Sequence, residues 1–196
     1  MKSSLSGTIP FNRPYLVGTE LERLTAAVEA LSISEGGPYT EQCERVLESI
    51  VGSPVALLTT SCTHALEMAA ILLDLSPGDE VIVPSFTFVS TANAFVLRGA
   101  RPVFADIRSD TLNINERQLP DLLSRRTKAI VLVHYAGVGC EMEPICAMAE
   151  AAGVPIIEDN AHGLMGRYKD RMLGTFGQMT TQSFHETKNV SCGKGG

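Results

Sequence analysis

The sequence predicts an α/β fold, a mainly parallel β-sheet with helices on both faces. Short apolar runs alternate with longer segments of helical period along most of the chain. Apolar residues make up 44% of the 196 and charged residues 19%, enough to bury a substantial core. No repeat, low-complexity tract or linker divides the chain, so residues 1–196 are expected to form one domain or the larger part of one. Strict alternation argues for parallel pairing, because parallel strands must be joined by a crossover and a helix is the usual one.

The elements follow in order. After an irregular start, Thr19 to Leu31 places Leu21, Leu24, Val28 and Leu31 at helical spacing. A second helix is expected from Thr40 to Ile50, behind a loop, SEGGPY, whose Gly36, Gly37 and Pro38 break regular structure. Strand and helix then alternate: VALLT with CTHALEMAAILLDL, EVIVPS with VSTANAFVLRG, PVFADI with NERQLPDLLS, and KAIVLVHY with EPICAMAEAAG. VPIIED is a further strand, and Met179 to Phe184 a last short one.

Composition excludes several classes. The formal net charge is -6 and no dense Lys/Arg cluster is present, which argues against nucleic acid as a partner. Five cysteines, without a C-x-x-C pair, fit neither a disulfide framework nor a zinc ribbon, and reduced thiols in a cytosol are the simpler account. The first twenty residues lack the apolar core of a signal peptide, and no apolar run reaches the roughly 18 residues of a membrane span. A soluble, cytoplasmic protein without metal is expected.

In open parallel sheets, ligands bind beyond the carboxyl ends of the strands. In TTSCTH, Cys62 and Thr63 stand where a strand gives way to a helix, and the unpaired N–H groups of a helix start suit a phosphate as well as they suit a simple Ser/Thr cap. Asp159 ends VPIIED, where a carboxylate needs a cation, a metal or a donor, unless Glu158-Asp159 merely caps a turn. His162 could face the same place, and Phe88 could offer its ring to a planar ligand or simply pack. Lys188, in SFHETKN, follows the last strand; alone it is an ordinary surface lysine. Together these residues match the needs of pyridoxal 5'-phosphate: a lysine amine for a Schiff base, an acid for the pyridine nitrogen, a phosphate cradle and a stacking ring.

SFHETKN, EDNAH and PSFTFVSTANAFVLRGA resemble the DegT/DnrJ/EryC1/StrS family of sugar-nucleotide aminotransferases, from about Pro10 to Gly196. The resemblance implies a fold-type I pyridoxal-phosphate enzyme. Within the family, LTTSCTHALEMAAILLDLSPGDEVIVPSFTFVSTANAFVLRGA and VHYAGVGCEM are most similar to the branch making dTDP-4-amino-4,6-dideoxygalactose for enterobacterial common antigen and related surface glycans. By matching motif, Lys188 would be the Schiff-base lysine and proton shuttle, Asp159 the partner of the pyridine nitrogen, and Phe88 the stacking ring. His162 would lie near the ring hydroxyl, and Cys62, Thr63 and Ser183 would hold the phosphate. The implied reaction moves an amino group from L-glutamate to C4 of a dTDP-4-keto-6-deoxyhexose, in a homodimer to which the loop SEGGPYT contributes. Lys188, rather than the His of related sugar dehydratases, favours amination.

Family members continue beyond the point matched by Gly196, so the chain is expected to be the N-terminal part of the large domain, without the small C-terminal one, and to bind cofactor weakly. GKGG stands where the family usually has Gly-Glu-Gly-Gly, reversing a charge at Lys194. Two alternatives are an inactive remnant of such an enzyme and a nucleotide-binding oxidoreductase. The second rests on GVGC after KAIVLVHY, which lacks the third glycine of a dinucleotide loop.

Overall fold

The computed structural model describes residues 9, 12–31 and 36–196, so the first part of SEGGPY and the start of the family-like region at Pro10 lie outside the described residues. Helix α1 (Glu20–Glu29) begins where the Glu20 carboxylate accepts the Val17 and Gly18 N–H groups at 2.7 and 2.9 Å. Its predicted stripe, Leu21, Leu24 and Val28, is exposed rather than turned to the core. Helix α2 (Pro38–Val51) starts two residues before the expected Thr40, because Pro38 presets the first helical φ and has no N–H to leave unpaired. It ends at Gly52, whose φ of 78° is the left-handed conformation a helix stop commonly needs.

Beyond α3 (Cys62–Leu72) come β1 (Glu80–Pro84), α4 (Ser90–Val96), β2 (Arg101–Ala105), a short α5 (Leu119–Leu122), β3 (Thr127–Val133), α6 (Met142–Ala152) and β4 (Ile156–Asp159). A two-residue hairpin, β5 (Arg167–Tyr168) with β6 (Arg171–Met172), precedes β7 (Met179–Thr181). The main sheet has the order β2-β1-β3-β4-β7 and every pairing in it is parallel. The strands alternate faces with period two. Val81, Val83, Val131 and Ile157 meet Leu66 and Ala70 of α3 and Phe95 of α4. Ile82, Ile130, Leu132 and Ile156 meet Met142, Ile145 and Ala149 of α6 on the other side. This is the predicted parallel sheet with helices on both faces.

Three expectations change. NERQLPDLLS holds only a 3-10 turn (Glu116–Gln118) and one turn of α-helix, since Leu123 is already extended with ψ 132°. The last strand stops at Thr181 instead of Phe184. VALLT is extended but not a strand: the Ala56 and Leu58 N–H groups donate to the Glu48 and Glu44 carboxylates of α2, and only Thr59 pairs with another backbone, that of Gly196. A strand requires a ladder partner along its length, and among the described residues this run has none.

Candidate active site

Glu158 and Asp159 are the last residues of β4, and strand geometry sends their side chains to opposite faces. Glu158, fully buried, accepts the N–H groups of Gly174, Phe176 and Gly177 at 2.8, 2.7 and 2.6 Å, and pairs with His134 Nε2 at 2.9 Å. His134 Nδ1 accepts the Cys140 N–H at 3.2 Å, so the ring's proton sits on Nε2 and is donated to Glu158. Burial pushes the Glu158 carboxyl up, but His134 and the backbone donors outweigh it and hold it below the usual range. A depressed folded-state pKa contributes stability above the ordinary carboxylate pKa, lost as pH falls through the folded value. Glu158→Gln would present an NH2 to donors that need an acceptor. It is expected to cost about 3 kcal/mol in urea unfolding at neutral pH, with the difference from the parent shrinking in acid.

Asp159 faces the other way and is nearly inaccessible. Thr91 Oγ1, near the start of α4, donates to its Oδ2 at 2.7 Å, and the Ala161 N–H donates to Oδ1 at 3.2 Å. Thr87 Oγ1 lies 2.7 Å from Thr91 Oγ1. The Cys62 thiol is 3.9 Å from Asp159 Oδ1 and 3.5 Å from Thr181 Oγ1. Burial pushes the Asp159 carboxyl up against the opposing pull of Thr91, Ala161, His162 and the Lys188 cation. A carboxylate so placed is short of positive charge on its own face.

Lys188 is half-buried, and burial pushes its amine below the ordinary lysine value while the Asp159 and Cys62 side chains oppose the shift. The turn carrying it is built by the residues around it. Ser183, at the end of the last extended run, accepts the His185 N–H on Oγ at 3.4 Å, and the Lys188 N–H donates to the His185 carbonyl at 2.9 Å. His185 Nδ1 accepts the Thr187 N–H at 3.3 Å, so His185 shapes the turn. Asn189 Nδ2 ties it to the Leu164 carbonyl at 2.9 Å.

His162 is brought in by a different contact. The turn Tyr135–Gly137, with Ala136 at φ 52°, directs the Ala136 N–H onto His162 Nδ1 at 3.1 Å. Burial and the Lys188 cation lower the His162 pKa against the pull of Asp159, so the neutral ring carries its proton on Nε2. Tyr135 stands edge-on to His162 at 5.3 Å and against Phe86 at 4.7 Å. Phe88 is 71% exposed and borders an open concavity with Thr63 and Glu67.

Helix α3 supplies the remaining groups. Ser61 Oγ accepts the His64 N–H at 3.2 Å and the Ser61 carbonyl takes that of Ala65, leaving the Cys62 and Thr63 N–H groups without an acceptor among the described residues. Two free N–H groups at the positive end of an 11-residue helix suit an anion. A Cβ on Gly196 would fall 2.3 Å from the Cys62 nitrogen, so only glycine fits where the chain passes this helix start. Burial raises the Cys62 thiol to about 12, Asp159 adding to the shift, and raises the buried Cys140 thiol to about 12 as well. Iodoacetamide at pH 8 is expected to label the exposed Cys43 and Cys192 well before Cys62 and Cys140, as peptide mass spectrometry would show.

The Cys62 thiol therefore lies against Asp159, the charges of His162 and Lys188 act on the same carboxylate, Thr63 and Phe88 border a concavity, and Ser183 serves the turn before Lys188. Thr91, Thr181 and Tyr135 were not expected. The only sequence signal for Thr91 is a pair of threonines four apart, Thr87 and Thr91, after a strand end.

The profile of the DegT/DnrJ/EryC1/StrS aminotransferase family matches residues 14–196. The chain belongs to that family. It is 41% identical over 188 residues to the spore coat polysaccharide biosynthesis protein SpsC of Bacillus subtilis, a match covering 96% of this chain and 48% of SpsC. Among solved structures it resembles the aminotransferase TlmJ from Streptoalloteichus hindustanus (34% identity, TM-score 0.90, covering 96% of this chain and 52% of TlmJ). It also resembles the PLP form of a sugar aminotransferase, Spr1654, from Streptococcus pneumoniae (29% identity, TM-score 0.86, covering 95% of this chain and 51% of the other). The chain spans about half the length of the curated relatives it matches. Pyridoxal phosphate is the cofactor of DegT/DnrJ/EryC1/StrS aminotransferases, and the residues present fit it. Asp159 is a buried carboxylate in need of a cation, Lys188 is a half-buried amine, and the start of α3 has two free donors.

Proposed function

We propose that the chain forms the cofactor-binding part of a cytoplasmic, homodimeric sugar-nucleotide aminotransferase. Its reaction would move an amino group from L-glutamate to C4 of a dTDP-4-keto-6-deoxyhexose. The observation that carries this reading is the buried Asp159 carboxylate within the electrostatic reach of a half-buried Lys188 amine, whose own burial favours the neutral, nucleophilic form. When bound, pyridoxal phosphate supplies an electron sink for breaking a C–H bond beside the amino group.

The chain's own residues divide the remaining work. Asp159, kept in place by Thr91 and Ala161, would hold a proton on the pyridine nitrogen through a charge-assisted hydrogen bond. His162 would donate its Nε2–H toward the ring hydroxyl, the Cys62 and Thr63 N–H groups with the Thr63 and Ser183 hydroxyls would bind phosphate, and Phe88 would cover the ring face. Lys188 would carry the cofactor and then move the proton between substrate and cofactor carbons.

The deciding experiment is borohydride reduction of the chain in the presence of pyridoxal phosphate, followed by peptide mass spectrometry. A pyridoxyl group on Lys188 is expected; modification spread over exposed lysines, with Lys188 unmodified, would overturn the reading.

A further inference from the structure

Thr91 stands fully buried in the first turn of α4, and its hydroxyl does nothing for the helix. The N-cap position is Val89, which makes no side-chain cap, and the Thr91 hydroxyl does not replace one. Instead Thr91 Oγ1 reaches Asp159 Oδ2 at 2.7 Å. Valine has nearly the same shape and no polar atom to satisfy, so packing alone gives no reason for a threonine at this depth.

A second hydroxyl stands behind the first. Thr87 Oγ1 lies 2.7 Å from Thr91 Oγ1, at a half-buried position just before the helix, and the Thr91 N–H closes the turn between them onto the Phe88 carbonyl at 3.0 Å. A carboxylate has no proton to give, so the Thr91 proton points to Asp159 and the Thr91 oxygen takes the Thr87 proton. Two hydroxyls thus align toward one buried negative charge, and each bond polarises the next. The other carboxylate oxygen, Oδ1, has the Ala161 N–H at 3.2 Å and the Cys62 thiol at 3.9 Å. Thr91 is therefore the one hydroxyl on this carboxylate among the described residues. His162 and Lys188 act on it as charges, and Cys62, itself 3.5 Å from Thr181 Oγ1, as a thiol.

We propose that Thr91, backed by Thr87, is the positioning residue that keeps Asp159 ionised and thereby decides whether the nitrogen of a bound pyridine ring stays protonated. The second half of this inference rests on the cofactor role proposed above; the first half concerns the chain alone. Hydrogen bonds to an ionised acceptor are the stronger ones, so the hydroxyl pair favours the charged carboxylate and opposes the burial that pushes Asp159 up. A carboxyl that kept its own proton would offer the ring nitrogen only a neutral partner, and the electron sink would weaken. The turn from Thr87 to Thr91 also carries Phe88, so one short segment would serve both the face of the ring and, through Asp159, its nitrogen.

The test follows the Asp159 side-chain carboxyl by carbon NMR during a pH titration of the full 196-residue chain without cofactor, the signal being assigned by its loss in Asp159→Asn. Thr91→Val is expected to raise the proton affinity of that carboxyl about tenfold or more, the usual worth of a hydrogen bond to a charge, and Thr91→Ser to keep it within about threefold of the parent. Thr87→Val should raise it less, about two- to threefold. With isotopically labelled pyridoxal phosphate at saturation, nitrogen NMR should find the ring nitrogen protonated in the parent and in Thr91→Ser, and shifted toward the unprotonated position in Thr91→Val. Borohydride should still leave a pyridoxyl group on Lys188 in all three. An Asp159 midpoint that Thr91→Val does not move, one that Thr91→Ser moves as far as Thr91→Val does, or a ring nitrogen equally protonated in the parent and in Thr91→Val would overturn the proposal. Should Thr91→Val not fold, an unmoved midpoint in Thr87→Val would overturn it. A parent chain without pyridoxyl on Lys188 would instead overturn the reaction proposed above, and the titration without cofactor would still judge Thr91.

Discussion

Lys188→Ala is expected to abolish covalent attachment of pyridoxal phosphate: no pyridoxyl peptide after borohydride and no visible-range absorbance attributable to a lysine-bound cofactor. In any assembly that transfers an amino group, the loss should reach about 10⁴-fold, because one amine acts both as covalent carrier and as the group that moves the proton. Lys188→Arg should fare no better, since it restores charge without a nucleophile. The pH dependence sharpens the test. Burial lowers the Lys188 pKa, so its free amine exists at lower pH than that of an exposed lysine, and adduct yield should rise with a midpoint below 10.5. A midpoint at or above that value would place Lys188 in water instead of beside Asp159.

Asp159→Asn should separate stability from cofactor binding. Burial, the leading influence, raises the Asp159 carboxyl, so the folded chain binds its proton more tightly than the unfolded chain does. Such a group contributes stability at low pH that is lost as pH rises through its folded value. The asparagine variant, which cannot ionise, should therefore be no less stable than the parent at neutral pH without cofactor, and its stability should fall less between pH 4 and 8, read by chemical denaturation. Its affinity for pyridoxal phosphate should nevertheless drop about ten- to hundredfold, the worth of one charged hydrogen bond. A variant that loses stability and keeps affinity would show that Asp159 serves the fold and not the cofactor.

Much of the architecture was legible because parallel strands buried on both faces are near-continuous apolar runs. VIV at 81–83, AIVL at 129–132 and II at 156–157 all fall in the sheet core. Asp159, Cys62 and Lys188 were legible through one rule, that ligands gather beyond strand ends. What escaped reading depends on register. Thr181 faces Asp159 because β4 and β7 align those two residues. Thr91 reaches the same carboxylate across 68 positions of sequence, and His134 reaches Glu158 across 24. No local pattern encodes such meetings. VALLT shows the converse, a correct strand pattern without the ladder, because pattern records which side chains suit a sheet and not whether a partner lies alongside.

The separations that hid those contacts also govern how the pocket comes into being. Cys62 meets Asp159 over 97 positions and Thr181 over 119, while Asn12 reaches the Glu186 carbonyl over 174. No short peptide can assemble such a set, so the pocket forms only after the long-range closures that make parallel topologies slow to fold. A ligand that recognises it therefore binds the finished fold alone, and by mass action each increment of occupancy draws chains out of the unfolded pool. At one hundred times its dissociation constant, such a ligand adds about 2.7 kcal/mol to the folded state. The abundance of intact protein in a cell would then follow the supply of its cofactor.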